Sequence, residues 1–185
     1  LRNASFQGSV SKCIAELAES HEFLQATHKM MSKKGMPDRE LVCRYFAFRL
    51  LRPFFDTTET MDDFLDKGMD ALSALPKNDF ERETARFKTV MQRCYDVLGD
   101  ITFINIKATR KRINKNLFDA FSYSISRLDD NEYQSLLRQS DRFEEEYKRL
   151  FEEKGFLCGK ELRKTSTEAV RKRFDTMDRF IRKFT

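Results

Sequence analysis

Apolar residues recur at helical spacing along almost the whole chain, and this periodicity restricts the fold more than any other feature. In the clearest case, apolar residues from Phe80 to Leu98 follow one another in steps of seven, four, three and four. Because an α-helix has about 3.6 residues per turn, these steps place them all on one face. The 185 residues include only 6 Gly and 3 Pro, too few for the many turns of a β-sandwich or barrel. We therefore predict an all-α fold.

About seven helical segments can be placed, which predicts an irregular multi-helix bundle. We expect a single compact helical domain over residues 1–185, and any subdivision would fall near 99–115. The segment LVCRYFAFRLL is apolar on almost every side except at Arg44 and Arg49, and Arg52 directly follows it, the pattern of a central helix surrounded by others. Further along the chain we predict one long helix that carries Leu136 to Phe151.

Composition and cysteine usage limit where the protein works. Charged residues make up 35% of the chain and interrupt every apolar stretch well before about 18 residues, which argues against a membrane-spanning helix. The cysteines lie 30, 51 and 64 positions apart, so no CxxC pair exists: Cys13, Cys43, Cys94 and Cys158. We read them as free core residues in a reducing compartment. The prediction is a cytoplasmic protein without membrane contact.

The positive charge is concentrated in two segments. Residues 160–185 contain nine basic and four acidic residues and so account for the whole net charge of +5. A second basic cluster follows Asp100, and no acid interrupts it before Asp119. Basic side chains can neutralise phosphates, which gives salt-dependent affinity without sequence specificity. Our candidates for nucleic-acid contact are Lys107, Arg110, Lys111, Arg112, Lys115, Arg171, Lys172 and Arg173. The alternative is a solvated helix face, or pairing with the acidic run Glu144 to Glu146.

Arg44 is a separate candidate because it lies within the apolar central helix. A buried, unpaired charge costs several kcal/mol, so this guanidinium needs a carboxylate or a phosphate as its partner. Two interpretations stay open. Either Arg44 forms an internal ion pair, or it faces a cleft together with Arg49 or Arg52 and binds a phosphate there.

The motifs of common enzyme classes do not occur in the chain. It contains no GxxxxGK[ST], GxGxxG, GxSxG or HExxH sequence. His21 and His28 are two helical turns apart, and no carboxylate or cysteine completes a ligand set around them. We therefore predict no catalytic residue, no cofactor and no metal site. An enzyme whose site is assembled from scattered residues is the weaker alternative.

Three stretches together resemble a known family: LRNASFQGSVSKCIAELAES, MPDRELVCRYFAFRLL and INKNLFDAFSYSISRL. They are similar to the helical downstream half of the proteins grouped as domain of unknown function 262, which include subunits of type IV restriction enzymes and phage-defence proteins. The residues that carry the resemblance are Leu1, Arg2, Asn3, Ala4, Gly8, Asp38, Glu40, Arg44, Phe46, Asn114, Leu117, Phe118, Arg173 and Phe174.

The resemblance implies that the chain is part of a longer bacterial protein. In this family a ParB-like nuclease domain with a DGQQR motif precedes the helical half, so that domain is the expected partner within the same polypeptide. No catalytic residue of the family falls on a position of this chain. We therefore expect a non-catalytic helical module of a DNA-targeting defence protein, with DNA as a second partner. The alternative is a helical module for protein interaction or oligomerisation that does not bind nucleic acid.

Overall fold

The computed structural model describes residues 8–30, 36–51, 60–152, 157, 162, 164 and 166–185. These residues form helices and no β-strand, and they pack into one compact domain, which confirms the predicted all-α fold. The helices are α1 (Ser9–Ala18), α2 (His21–Ala26), α3 (Pro37–Leu51), α4 (Met61–Ser73), α5 (Lys77–Leu98), α6 (Lys115–Ser126), α7 (Asp130–Arg138), α8 (Ser140–Arg149) and α9 (Thr167–Ile181). None of these described helices is both long and apolar enough to cross a membrane.

Helix α3 lies at the centre of the bundle, as its sequence predicted. Every residue in positions 41–48 is buried, including Arg44. The ring of Tyr45 lies 5.0 Å from the ring of Phe87 on α5. On another side of α3, the ring of Phe48 lies 4.8 Å from that of Phe174 on α9. Burial on several sides explains why this helix lacks a polar face.

Helices α3 and α4 approach each other closely at Gly68. A Cβ atom at this position would lie 2.5 Å from both the Cα and the Cβ atom of Ala47. Glycine in a helix is less favourable than alanine by about 1 kcal/mol, so helix propensity does not account for its presence here. The missing side chain is what allows the two helices to pack at this distance.

Replacing this glycine tests the close approach. We expect Gly68→Ala to lower the free energy of unfolding by about 1–3 kcal/mol, because overpacking outweighs the better helix propensity of alanine. Ser73→Ala, at an exposed position of the same helix, is the control and should leave stability nearly unchanged. Urea unfolding measures both variants. Equal unfolding midpoints for Gly68→Ala and the parent protein would contradict the close contact.

The segment after α6 corrects one prediction. The sequence predicted one long helix carrying Leu136 to Phe151, and this was wrong, since α7 and α8 are separate helices joined at Gln139. The side-chain amide of Gln139 donates a hydrogen bond of 2.9 Å to the carbonyl oxygen of Phe184. The break directs Phe143 towards the end of the chain, where its ring lies 5.1 Å from that of Phe184. Packing against the C-terminal segment therefore accounts for the extra helix.

Two tyrosine hydroxyl groups lie deep in the core. Tyr45 and Tyr147 are almost fully buried, and neither hydroxyl has a hydrogen-bond partner within the part of the chain that the structure describes. Burial raises the pKa of both groups above the ordinary value for tyrosine. A buried hydroxyl without a partner loses its hydration and gains nothing in return, so both positions carry a stability cost.

Removing one of these hydroxyls should therefore stabilise the protein. We expect Tyr147→Phe to raise the free energy of unfolding by about 0.5–1 kcal/mol. Tyr133→Phe is the matched control because the hydroxyl of Tyr133 donates a 2.9 Å hydrogen bond to Asp96, and its loss should destabilise the protein. Thermal unfolding compares the two variants. A loss of stability in Tyr147→Phe as large as in Tyr133→Phe would show that its hydroxyl is satisfied.

Candidate nucleic-acid interface

Helices α3, α6 and α9 run in the same direction and bring their N-termini to one end of the bundle. At the start of α6, the ammonium of Lys115 lies 2.8 Å from the carboxylate of Glu40 in α3. One turn further along both helices, Arg44 pairs with Asp119. Asp119 in turn faces Arg173 on α9.

A second contact fixes the direction of α9. Arg127, directly after α6, lies 3.9 Å from Asp178 on α9. Because these contacts advance along each helix together, α3, α6 and α9 are parallel.

A loop at this end carries half of the sequence-predicted phosphate contacts. Residues 105–112, which we call the basic loop, lie within the connection between α5 and α6. Ile104 and Ile113 pair through an isolated antiparallel bridge, and the N–H group of Asn114 donates a 2.8 Å hydrogen bond to the carbonyl oxygen of Phe103. These contacts close the base of the basic loop, so it projects from a fixed point on the bundle.

The cations of the basic loop are exposed: Lys107, Arg110, Lys111 and Arg112. None of these four forms an ion pair with a carboxylate in the described ranges. The next helix also favours anions here, because the N-terminal end of α6 carries the positive end of its dipole. The side chain of Asn114 caps that helix by accepting hydrogen bonds from the N–H groups of Asn116 and Leu117 at 3.0 and 3.1 Å. The four loop cations thus lie close in sequence to the N-terminus of α6.

The other predicted phosphate contacts have different surroundings. Lys115 is exposed, but Glu40 already neutralises it. Arg171 and Lys172 are exposed on the first turns of α9. Arg173 is only 2% exposed, and its guanidinium donates a hydrogen bond to the carbonyl oxygen of Lys164. A phosphate cannot reach Arg173, so this residue is not part of the surface.

Arg44 forms an internal ion pair. Its Nε atom donates a 2.9 Å hydrogen bond to one carboxylate oxygen of Asp119, and its Nη2 atom donates to the other. Glu40 adds a second carboxylate, 3.8 Å from Nη1 of Arg44. Burial alone would lower the pKa of Arg44, but the attraction and hydrogen bonds of Asp119 raise it above its ordinary value. The guanidinium is therefore held as a cation in the core.

The cleft interpretation of Arg44 finds no support in the described residues. Arg49 does not join Arg44 but pairs with Glu83, with Nε 3.2 Å from a carboxylate oxygen. Arg52 lies outside the described residues. Asp119 was missed at the sequence level, although a single acid within the apolar run LFDAF is a signal that a cation must face it.

The carboxylate of Asp119 attracts two guanidinium groups, those of Arg44 and Arg173. Burial raises the pKa of its carboxyl above the ordinary value, and the attraction of Arg44 and Arg173 offsets only part of this shift. For Arg173, burial lowers the pKa and Asp119 opposes the change. The three charges therefore depend on one another, and they join α3, α6 and α9 below the basic loop.

Substitutions at Arg44 and Asp119 should distinguish a structural ion pair from a phosphate-binding site. We expect Asp119→Ala to lower the free energy of unfolding by about 3–5 kcal/mol, because two buried guanidinium groups would lose the carboxylate that lies between them. The apolar pair Arg44→Met with Asp119→Leu should recover only part of that loss, because Arg173 would still be buried without its carboxylate. Lys115→Gln, which breaks only an exposed pair, is the control and should cost less than about 1 kcal/mol.

Urea unfolding measures these variants, and duplex binding is measured alongside. The ion-pair interpretation expects Arg44→Met to be destabilised. Retained stability with lost affinity for a polyanion would instead establish a phosphate cleft at Arg44.

A groove of about 410 Å³ lies between α5 and the corner that joins α6 to α7. Arg86 and Arg93 on α5 donate 3.4 Å hydrogen bonds to the carbonyl oxygens of Ser126 and Leu128, respectively. Arg93 also pairs with Asp130. The carbonyl groups at a helix C-terminus carry partial negative charge and attract cations. These two arginines therefore serve to close the end of α6.

Reactive side chains in the described residues have structural surroundings. No group of three or more His, Cys, Asp or Glu side chains within these ranges is placed to hold a metal ion. Cys13, Cys43 and Cys94 are free thiols, and Cys158 lies outside the described residues. Burial raises the pKa of Cys13 to about 11 and that of Cys94 well above its ordinary value. Both thiols are thus poor nucleophiles near neutral pH.

Comparisons of the chain with protein-family models, curated proteins and solved structures find no match. The resemblance to domain of unknown function 262 therefore stays a prediction that depends on the motifs quoted above. Part of the first motif, residues 1–7, lies outside the described residues.

Proposed function

We propose that this chain is a non-catalytic helical module that contacts the phosphate backbone of a nucleic acid through the basic loop. One observation supports the proposal above all others: four exposed cations without an ion-pair partner in the described chain are grouped on one short loop. Most basic side chains elsewhere in the described structure bind carboxylates or helix carbonyl groups. The basic loop brings four such unpaired cations together within residues 107–112.

The expected affinity of such a loop depends strongly on salt. Each phosphate neutralised by a Lys or Arg side chain releases condensed counterions, which contributes a slope of about −0.9 to log K against log salt for duplex DNA. Four contacts therefore predict a slope of about −3.6 and a loss of about 100-fold in affinity between about 50 and 200 mM salt. Contacts of this kind position a protein on the backbone and do not read sequence.

The wider proposal includes the parent protein. In it, the module supports an upstream ParB-like nuclease domain of a cytoplasmic, DNA-targeting bacterial defence protein. This wider proposal is supported by the motif resemblance. Two residues of those motifs have structural roles in this chain: Arg44 is a cation in the core, and Asn114 caps a helix. A reading frame with a DGQQR motif upstream of Leu1 is the expected finding.

The alternative function, a protein-interaction or oligomerisation module, has less support. Within the described residues, the only exposed large hydrophobic side chains are those of Met30 and Met36. Isolated exposed side chains are ordinary on soluble proteins, whereas interaction sites usually present contiguous apolar patches.

Neutralising the basic loop tests the proposal directly. The variant carries four substitutions to glutamine: Lys107→Gln, Arg110→Gln, Lys111→Gln and Arg112→Gln. We expect its affinity for a mixed-sequence duplex at about 50 mM salt to fall by about 100-fold or more, and the salt slope to approach zero. Fluorescence anisotropy over a series of salt concentrations measures both quantities.

A control variant with the same change in net charge distinguishes the loop from overall charge. Its substitutions lie on other exposed surfaces, at cations that form ion pairs with acids four positions away: Lys12→Gln, Lys77→Gln, Arg142→Gln and Lys148→Gln. The control should keep the affinity and the slope of the parent. Equal losses in the two variants, or no binding by the parent at about 50 mM salt, would overturn the proposal.

A further inference from the structure

Phe103, two residues before the basic loop, has an unusual backbone conformation. Its φ angle is 59°, in the left-handed region that a bulky residue rarely adopts. The side chain is fully buried, and its ring lies 4.8 Å from that of Phe118 and 6.2 Å from that of Phe121. Such a conformation persists only where the surroundings hold it in place. Packing in the core thus sets the direction in which the chain enters the basic loop.

Polar contacts hold the residues on both sides of the basic loop. On the entering side, the Nε2 atom of His28 lies 3.2 Å from the carbonyl oxygen of Thr102. The hydroxyl of Thr102 donates a 2.7 Å hydrogen bond to the carbonyl oxygen of Gly99. On the leaving side, Asn114 binds the backbone of Phe103 and caps α6. The loop is therefore anchored to the residues that follow α2 and α5 and to the cap of α6.

Asn105 fixes the first turn of the loop itself. Its side-chain oxygen accepts a 3.1 Å hydrogen bond from the N–H group of Lys107, and its carbonyl oxygen accepts one of 3.1 Å from the N–H group of Ala108. This is the hydrogen bonding of an Asx turn, in which a side chain holds the backbone two residues further on. Asn105 thereby positions the first cation of the loop without carrying charge.

The basic loop offers no surface on which a base could stack. Residues 105–112 include no aromatic side chain, and the neighbouring Phe103 is 0% exposed. Proteins that bind single strands without sequence preference combine cations with exposed aromatic side chains. A double helix instead keeps its bases inside and presents phosphates at regular spacing.

We infer that the basic loop is pre-organised for the phosphate array of a double helix, and that Phe103 and Asn105 are its positioning residues. The inference rests on the proposed function. A pre-organised loop loses less conformational freedom on binding than a flexible one. A rigid duplex cannot adjust to a displaced cation, whereas a flexible single strand can. Loosening the loop should therefore weaken duplex binding more than single-strand binding.

Asn105→Gly tests this inference because it removes the side-chain acceptor and adds backbone freedom. We expect its affinity for the mixed-sequence duplex to fall by about 5-fold to 10-fold while the salt slope stays that of the parent, since all four cations remain. Affinity for a single strand of the same length should change by less than about 2-fold. Faster hydrogen exchange at the amides of Lys107 and Ala108 would report the looser turn directly.

Two further variants keep the test decisive. Asn105→Ser retains an oxygen acceptor and should restore most of the duplex affinity. Asn105→Ala removes the acceptor without adding as much freedom, and it replaces Asn105→Gly if that variant shows a lowered unfolding midpoint.

The outcomes separate this inference from the proposed function. If the parent binds the duplex, the four-glutamine variant does not, and Asn105→Gly matches the parent, the positioning role is wrong and the proposed function stands. A salt slope that falls in Asn105→Gly would also overturn positioning, because a phosphate contact would have been lost. Single-strand binding as tight as duplex binding in the parent would overturn the choice of ligand. If the parent binds neither, both proposals fail.

Discussion

The buried ion pair between Arg44 and Asp119 fixes how α3 lies against α6, and the arrangement of the basic loop depends on it. If one helix were displaced by a turn along the other, a carboxylate and a guanidinium would be left unpaired in the core, at a cost of several kcal/mol. The exposed pair of Lys115 with Glu40 follows the same alignment one turn nearer the surface. Because the basic loop ends three residues before α6 begins, the alignment of α6 determines where the loop leaves the bundle.

The parts of the fold that could be predicted from sequence are those set by neighbouring residues. The seam from Phe80 to Leu98 predicted α5, and the apolar run around Tyr45 predicted a central helix, because helical periodicity alone determines which faces must be covered. Ser166 caps the last helix, α9, because its side chain accepts a hydrogen bond from the backbone N–H group of Ala169. Local sequence does not determine which two apolar helix faces pack against each other, because this depends on the tertiary structure. For this reason the partner of Arg44 could be required by the sequence but not identified by it.

Three details show where reasoning from sequence failed. Gln139 lies in a region with helical periodicity, and only its contact with the distant Phe184 reveals the break. Phe103 carries no local signal of a left-handed conformation, since that conformation is imposed by the rings around it. Arg173, in contrast, could have been placed correctly. It is three residues from Val170 and four from Met177, so it shares the buried face of α9, whereas Arg171 and Lys172 point elsewhere.

Formal charge also proved a poor guide to where a polyanion could bind. By sequence, the whole net charge of +5 falls within residues 160–185. In the structure, several of those cations already have partners: Arg173 binds a backbone carbonyl and faces Asp119, and Arg182 lies 2.7 Å from Glu132. The basic loop belongs to the part of the chain with no net charge, yet its four cations have no ion-pair partner among the described residues. A phosphate binds most strongly to cations that no carboxylate already neutralises. Unpaired cations, and not the net charge of a segment, therefore point to the basic loop as the binding surface.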